Sequence, residues 1–412
     1  METIIERCCG IDVHKKTLSA CLLTGKADEK PKQTIRSFST MTHDLLACRD
    51  WLVSEGCTHV AMESTGVYWK PVFNILEDQM EVILANARNI KNVPGRKTDV
   101  GDCQWIAQLL RHGLIEGSFI PPKPIRELRD LTRYRQKLIQ QRSAEINRLQ
   151  KFLEDANIKL ASVVTDITGV SAQDIIQHLI QDDRTSQEMA QLAKGRLRNK
   201  IEELEKSLQG YFSNHHRLIL RLSLQMIASY DETIEALNSE IDARMEPHQE
   251  IVQRLETIPG VKKKTIEKLI AEIGIDMNRF PTHGHLASWA GVSPGNHESA
   301  GKRKSGRSTH GNKWLKATLV EAAWSASKSK GSYLKARYQR LVSRRGKKRA
   351  ALAVGHTLLT IAYHIIKEQC VYLELGVDFF DRLNEQHLLN RLTKRIAALG
   401  YKVDIEKLPL AA

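Results

Sequence analysis

Residues 8–26 read CCGIDVHKKTLSACLLTGK. An apolar run, a polar break at HKKT and a second apolar run predict two strands joined by a tight connection. KQTIRSFST (32–40) continues as a third strand, and MTHDLLACRDWLVSEGC (41–57) has helical spacing at Leu45, Leu46, Cys48, Trp51 and Leu52. THVAMEST (58–65) is a short apolar run typical of a central buried strand. YWKPVFNILEDQ (68–79) predicts a helix, with Pro71 near its start where proline is tolerated, and EVILANA (81–87) another strand. TDVGDCQWIAQLLRHG (98–113) predicts a helix with Thr98 or Asp99 as N-cap and Gly113 as terminator. The order β-β-β-α-β-α-β-α predicts a mixed sheet covered by helices.

Four acids fall at the ends of these elements. Asp12 lies between Ile11 and Val13, where an aspartate has poor strand propensity and needs a partner if buried. Glu63 terminates the apolar run HVAMES and raises the same problem. Asp99 and Asp102 face the same way on the first turn of a helix. A capping aspartate and a first-turn partner for the helix dipole explain that pair without chemistry. Convergence of all four at the carboxyl edge of one sheet is the competing reading. Like charges so placed repel unless hard divalent cations lie between them. Two such metals, Mg²⁺ being the natural choice, can clamp the attacking and leaving oxygens of a phosphodiester.

The 412 residues carry a formal net charge of +14. Residues 301–350 hold 16 Lys/Arg against one acid, Glu321, a net of +15, so the other 362 residues net −1. Basicity concentrated in one block suits a surface that meets phosphate backbones; a solvated face or a membrane-surface patch is the alternative. The seven cysteines show no CxxC or zinc spacing, and METIIERCCG lacks a basic segment followed by an apolar run. Both features predict a reducing, cytoplasmic setting with cysteines as small core residues. ALAVGHTLLTIAYHII is short for a membrane span and carries His356 and His364, which predicts a buried helix.

From Pro124 the texture changes. Apolar residues recur at helical spacing over 124–156, and again over roughly 186–256, with a short helical connector around VSAQDIIQHLI. Two long amphipathic helices joined by a cap predict an antiparallel coiled-coil arm; a compact helical bundle is the alternative. ETIPGVKKKTIEKLIAEIG (256–274) has the pattern of a helix-hairpin-helix element, whose turn presents backbone N–H groups to phosphate. Trp314 and Trp324 lie on one predicted helix and read as core residues before stacking platforms.

The words GIDVHKKT, AMESTGVYW and KTDVGDCQWIAQLL resemble the DEDD transposases, bacterial insertion-sequence recombinases of the Piv/MooV type. The resemblance implies an RNase H-like (RuvC-like) N-terminal domain with Asp12, Glu63, Asp99 and Asp102 as catalytic, metal-binding acids. Residues 250–330 resemble the family's second domain, in which the serine of an S-G-G-K word attacks DNA. Here the word is SAGK, so Ser299 takes that role, with Ala300 in place of the first glycine. Lys302, Arg303, Lys304, Arg307 and Lys313 would hold the scissile strand. Ser299 as an ordinary turn or phosphate contact, with Ser305 and Ser308 as near neighbours, is the plainer reading.

The expected fold is therefore α/β plus all-α: an RNase H-like mixed sheet, a long antiparallel coiled-coil insertion, and a helical C-terminal domain with a helix-hairpin-helix-like element. The expected domains are 1–122 (RuvC-like), 123–254 (arm), 255–350 (basic, serine-bearing) and 351–412 (helical tail). The resemblance also implies donor and target DNA, a non-coding bridge RNA and a homo-oligomer, dimer or tetramer, without a membrane partner. Within a bacterial cytoplasm the protein would act at the nucleoid. A covalent phosphoserine intermediate conserves bond energy, so no Walker sequence is expected, and none is present. The alternatives are a resolvase-like nuclease that activates water with the same metals, and a non-catalytic nucleic-acid-binding protein.

Overall fold

The computed structural model describes residues 4–64, 66–85, 101–295, 297–308 and 310–405, without the side chains of His297, Ser299 and Arg303. Thr98 and Asp99, the expected helix cap, lie outside the described residues. The chain divides into two compact units, Met1–Ile120 and Pro121–Ala412.

In the first unit, β1 (Arg7–Val13), β2 (Thr17–Thr24), β3 (Lys32–Ser39), β4 (His59–Glu63) and β5 (Glu81–Ala85) form one sheet in the order β3-β2-β1-β4-β5. The first three strands are an antiparallel meander, and β4 and β5 run parallel to β1. This order, with β2 reversed against the rest, is the RNase H-like topology. Helices α1 (Thr42–Ser54) and α2 (Trp69–Leu76) supply the two crossovers of the parallel half. Period-two alternation splits β1 between two cores. Cys9, Ile11 and Val13 pack with residues of α1 and α2. Cys8 packs on the other face with α3 (Gly101–Arg111).

Two local features seat α3. A Cβ at Gly10 would collide with the backbone of Cys103 and Ala107, so glycine lets the helix lie directly across β1. The helix ends at Gly113, φ +64°, with Leu114 N–H donating to Leu109 O at 2.9 Å and Gly113 N–H to Leu110 O at 3.0 Å. Arg111, 2% exposed, donates to the carbonyls of Glu6, Gly25 and Lys26 and ties this end to the edge of the meander.

The second unit is helical. Helix α4 (Lys123–Asp155) pairs with a second long helix, Asn214–Met245. Between them lie α5 (Leu160–Val163), α6 (Val170–Gln181), α7 (Ser186–Ala190) and α8 (Ile201–Ser207), which make a cap with its own apolar core; the second long helix is α9. The long pair is antiparallel. Arg244 donates to Glu127, Arg135 to Asn238, Arg142 to Asp231 and Ser223 to Glu145, so partner numbers fall as those of α4 rise. Buried positions step by three and four: Ile125, Leu128, Thr132, Arg135 and Leu138 on α4, and Leu220, Ser223 and Ile227 on α9.

The expected second run, 186–256, is not one helix. A side chain at Gly210 would strike the Ala156 carbonyl, so the chain there passes close to the end of α4 and breaks the helical run. Pro247 interrupts it again in the one-turn segment Glu246–His248, before α10 (Gln249–Glu256).

Beyond α10 come α11 (Lys263–Ile273), α12 (His283–Trp289), the hairpin β6 (His297–Ser299) and β7 (Lys302–Ser305), then α13 (Lys313–Ala326), α14 (Tyr333–Arg345), α15 (Lys347–Glu368), α16 (Phe379–Leu383) and α17 (Glu385–Ala398). By length and composition α15 could cross a membrane. In the structure it buries Ala350, Val354, Leu358, Ala362 and Ile366, and Tyr363 Oη donates to Phe280 O at 3.0 Å. It is a core helix of this unit.

Candidate active site

Three of the four expected acids lie at one end of the sheet. Asp12 is the penultimate residue of β1 and Glu63 the last of β4. The parallel register aligns Ile11 with Met62, so its next step sets Asp12 beside Glu63. Gly10 abuts α3 and Ala61 belongs to the α3-side core. Two residues further along each strand, Asp12 and Glu63 point to that same face. Asp102 stands in the first turn of α3. The Cys103 thiol is held above its usual pKa, chiefly by burial, with the charges of Asp12 and Asp102 adding to the effect. Both carboxylates are therefore within electrostatic reach of one sulfur. Glu63 and Asp102 are half-buried, and Asp99 is outside the described residues.

Asp12 has a partner that sequence reasoning missed. His14 Nε2 lies 3.0 Å from Asp12 Oδ2, with the His14 side chain 67% exposed and that of Asp12 19%. The i, i+2 spacing of Asp12 and His14 at the end of an apolar run was the available signal, although β1 itself ends at Val13. The donor set, all carboxylate, has the chemistry of a hard cation site. Among the described residues no group of three His, Cys, Asp or Glu converges closely enough to hold a metal ion.

In the second unit, Ser299 ends β6 and pairs with Lys302 across Ala300 and Gly301, at φ +51° and +71°. Two consecutive positive φ values define the tight I′ hairpin turn, whose central positions favour glycine. Its backbone is described; the Ser299 side chain is not. Lys302 and Lys304 are exposed on β7, and Arg307 is exposed just beyond, its carbonyl accepting from Gly295 N–H at 3.2 Å. Lys313 is exposed at the start of α13, its Nζ 5.7 Å from the Trp314 ring. For Arg303 only the backbone is described.

Two secondary expectations change. Trp324 is 37% exposed and Trp314 half-buried under Arg133, so neither is a closed core residue. In the α10–α11 hairpin, Gly260 (φ +82°) leaves no room for a Cβ beside Ala326. Lys263 pairs with Asp242 at 2.8 Å and Lys264 donates to Asn238 at 2.6 Å, so two of its three lysines are engaged within the protein.

A five-stranded mixed sheet in the order β3-β2-β1-β4-β5, with carboxylates at the carboxyl ends of adjacent parallel strands, defines the class: a protein with an RNase H-like first unit. Sequence comparison adds the family. A transposase family model of the DEDD, IS110 type matches residues 9–158, and one described as "Transposase IS116/IS110/IS902 family" matches residues 252–339. The chain belongs to the IS116/IS110/IS902 transposase family. It is 36% identical over 121 residues to a pilin gene-inverting protein of Moraxella bovis, a match covering 28% of this chain and 36% of that protein. It is 29% identical over 150 residues to the transposase for insertion sequence element IS1111A of Coxiella burnetii, covering 34% of this chain and 40% of that one. The chain thus spans about two fifths or less of the curated relatives it matches. Among solved structures, RuvC of Thermus thermophilus is similar at 13% identity and a TM-score of 0.21, over 27% of this chain and 99% of that chain.

Proposed function

We propose that this protein is a DNA transposase that cuts and exchanges DNA strands through a covalent phosphoserine–DNA intermediate. The observation that carries the reading is the alignment of Asp12 and Glu63 at the ends of adjacent parallel strands, with Asp102 opening the helix over the same face. A structural role asks for no acid at either strand end. A phosphoryl-transfer site asks for acids there.

In this reading the Ser299 oxygen attacks a backbone phosphorus. A serine–phosphate ester forms as one DNA ester bond breaks; the serine hydroxyl proton passes to solvent and the departing DNA oxygen takes one up. Attack by the hydroxyl of a different DNA end on the phosphoserine forms the new DNA ester, completes the exchange and releases the serine as its hydroxyl. The I′ turn holds Ser299 at the end of a strand, with Lys302 opposite it in register to neutralise the scissile phosphate. Lys304, Arg307 and Lys313, with Arg303, hold the flanking backbone. Asp12, Glu63, Asp102 and Asp99 would hold divalent cations of the Mg²⁺ kind, which when bound stabilise charge on the phosphoryl oxygens. Donor and target DNA are the substrates. A bridge RNA selecting them, a dimer or tetramer that lets Ser299 meet acids of its own or a second chain, and action at the bacterial nucleoid complete the reading. So does the finer division into sheet domain (1–122), coiled-coil arm (123–254), serine domain (255–350) and tail (351–412).

The deciding experiment is a denaturing adduct assay with DNA carrying the native element ends and Mg²⁺. Wild type should retain covalently bound DNA, Ser299→Ala should lose it, and Asp12→Asn and Glu63→Gln should lose cleavage while still binding. DNA cut without any adduct would favour the second reading, a water-using nuclease in which Ser299 is a contact. Neutralising any one of the five named cations should lower the log–log salt slope of binding by about 0.9 per lost phosphate contact.

A further inference from the structure

The base of α4 and the end of the serine loop meet on one buried carboxylate. Glu272, on the last turn of α11, is 2% exposed. Arg133 of α4 donates Nε and Nη2 to its two oxygens at 2.7 and 2.8 Å. Arg129, one turn earlier, lies 3.4 Å away and also donates to the carbonyls of Ala271 and Glu272 at the carboxyl end of α11. On its other side, Asn312 Nδ2 donates to Glu272 Oε2 at 2.5 Å.

Asn312 is where the serine loop stops and α13 begins. Its Oδ1 accepts the N–H groups of Trp314 and Leu315 at 3.0 and 3.1 Å, and its own N–H donates to Trp289 O at 3.3 Å. Beside it, Gly311 sits so close to the Gly291 backbone that no side chain fits. An asparagine amide has a sense: Oδ1 can cap the helix only while Nδ2 finds an acceptor elsewhere. An ionised carboxylate only accepts, so Glu272 dictates that sense. The same carboxylate balances two guanidinium groups of α4, so the loop's anchor and the arm's seat share one charge.

We propose that Glu272 is a positioning residue: acting through Asn312, it holds the serine loop in register with the arm helix α4. The proposal rests on the reading of that loop as reactive. Glu272 does not touch the reacting atoms. It fixes the end of the hairpin loop from which Ser299 is presented, so a shift of α4 would be passed to the loop.

A role swap tests this. Asn312→Asp keeps a capping oxygen but sets two carboxylates face to face. The double variant Asn312→Asp/Glu272→Gln restores the bond with donor and acceptor exchanged and the total charge unchanged; it keeps the Arg133 Nε bond to the other oxygen but loses the Arg133 Nη2 bond, and Glu272→Gln alone measures that loss. Three readouts are taken on the full chain: amide hydrogen exchange over residues 300–308, single-turnover adduct formation at saturating DNA, and DNA affinity. In the single variant we expect exchange about tenfold faster and adduct formation about tenfold slower, as for a lost buried charge-assisted bond, with affinity unchanged. In the double variant both should return to within about threefold of wild type. Wild-type exchange and rate in Asn312→Asp would overturn the proposal, as would a double variant as slow as the single one. Should Asn312→Asp fail to fold, Asn312→Gly takes its place: glycine is tolerated at an N-cap and has no side chain to donate to Glu272, and the same criteria apply. Absence of an adduct in wild type counts against the serine reading alone, and the exchange measurement then decides the positioning role.

Discussion

Ala300 has a φ of +51°, a left-handed conformation that favours glycine. A left-handed alanine is disfavoured by roughly 1–2 kcal/mol, while glycine gives back about 0.5–1 kcal/mol through its freer unfolded chain. Ala300→Gly should therefore stabilise the second unit by about 0.5–1 kcal/mol, read as a higher denaturant midpoint at unchanged slope. The cysteines carry a second prediction. Six of the seven are buried and only Cys370 is exposed. Burial pushes Cys8 up to about 11 and Cys21, Cys48 and Cys57 to about 12, and raises Cys9 well above the ordinary value. A thiol reagent should titrate one cysteine in the native protein and all seven after denaturation. These thiols are neutral when folded and ionise near pH 9 when unfolded. Their contribution is intact below pH 9 and is lost as pH rises from 9 towards 12, so the unfolding free energy should fall through that window. The acidic words of the sheet were legible at this scale; the pairing of Asp12 with His14 had only its i, i+2 spacing as a signal, because His14 lies just past the end of β1, where the pleat no longer sets its direction.

At the scale of elements, the helical texture of 124–156 and of roughly 186–256 was readable from apolar spacing; the choice between a long antiparallel pair and a compact bundle was not, because spacing shows an apolar face and not what covers it. What periodicity hid is that the seam carries charge. Arg135 and Glu267, each 1% exposed, face one another at 2.6 Å where α4 meets α11. Removing one member of such a pair leaves an uncompensated buried charge, whereas replacing both with apolar groups does not. Glu267→Ala should destabilise the second unit by about 3–5 kcal/mol, and Arg135→Met/Glu267→Leu should recover most of that loss, both read by chemical denaturation. A double variant no better than the single one would mean that the pair does more than fill space. The second expected run failed as a single helix at Gly210 and Pro247: both are helix breakers visible in the sequence, but the close approach of the Ala156 carbonyl that requires Gly210 is tertiary.

Across the whole molecule, stability is uneven. Helix α17 is amphipathic by sequence yet has no buried residue. Deleting residues 385–412 should change the unfolding free energy by less than about 0.5 kcal/mol, since little apolar surface is lost with them. A larger drop would show that the segment is covered in solution. By itself, the sequence determined the order of strands and helices in the first unit, the basic block at 301–350 and the placing of Asp12, Glu63 and Asp102 at element ends, because periodicity, charge and turn chemistry are local properties of a chain. Tertiary structure alone decided that Asp12 and Glu63 fall in step on adjacent strands, that Gly10 admits the helix bearing Asp102, and that Glu272 joins Arg133 to Asn312. Each depends on register or close approach between segments far apart in the chain. A shift of one residue in strand pairing would turn an acid to the opposite face without altering any local pattern.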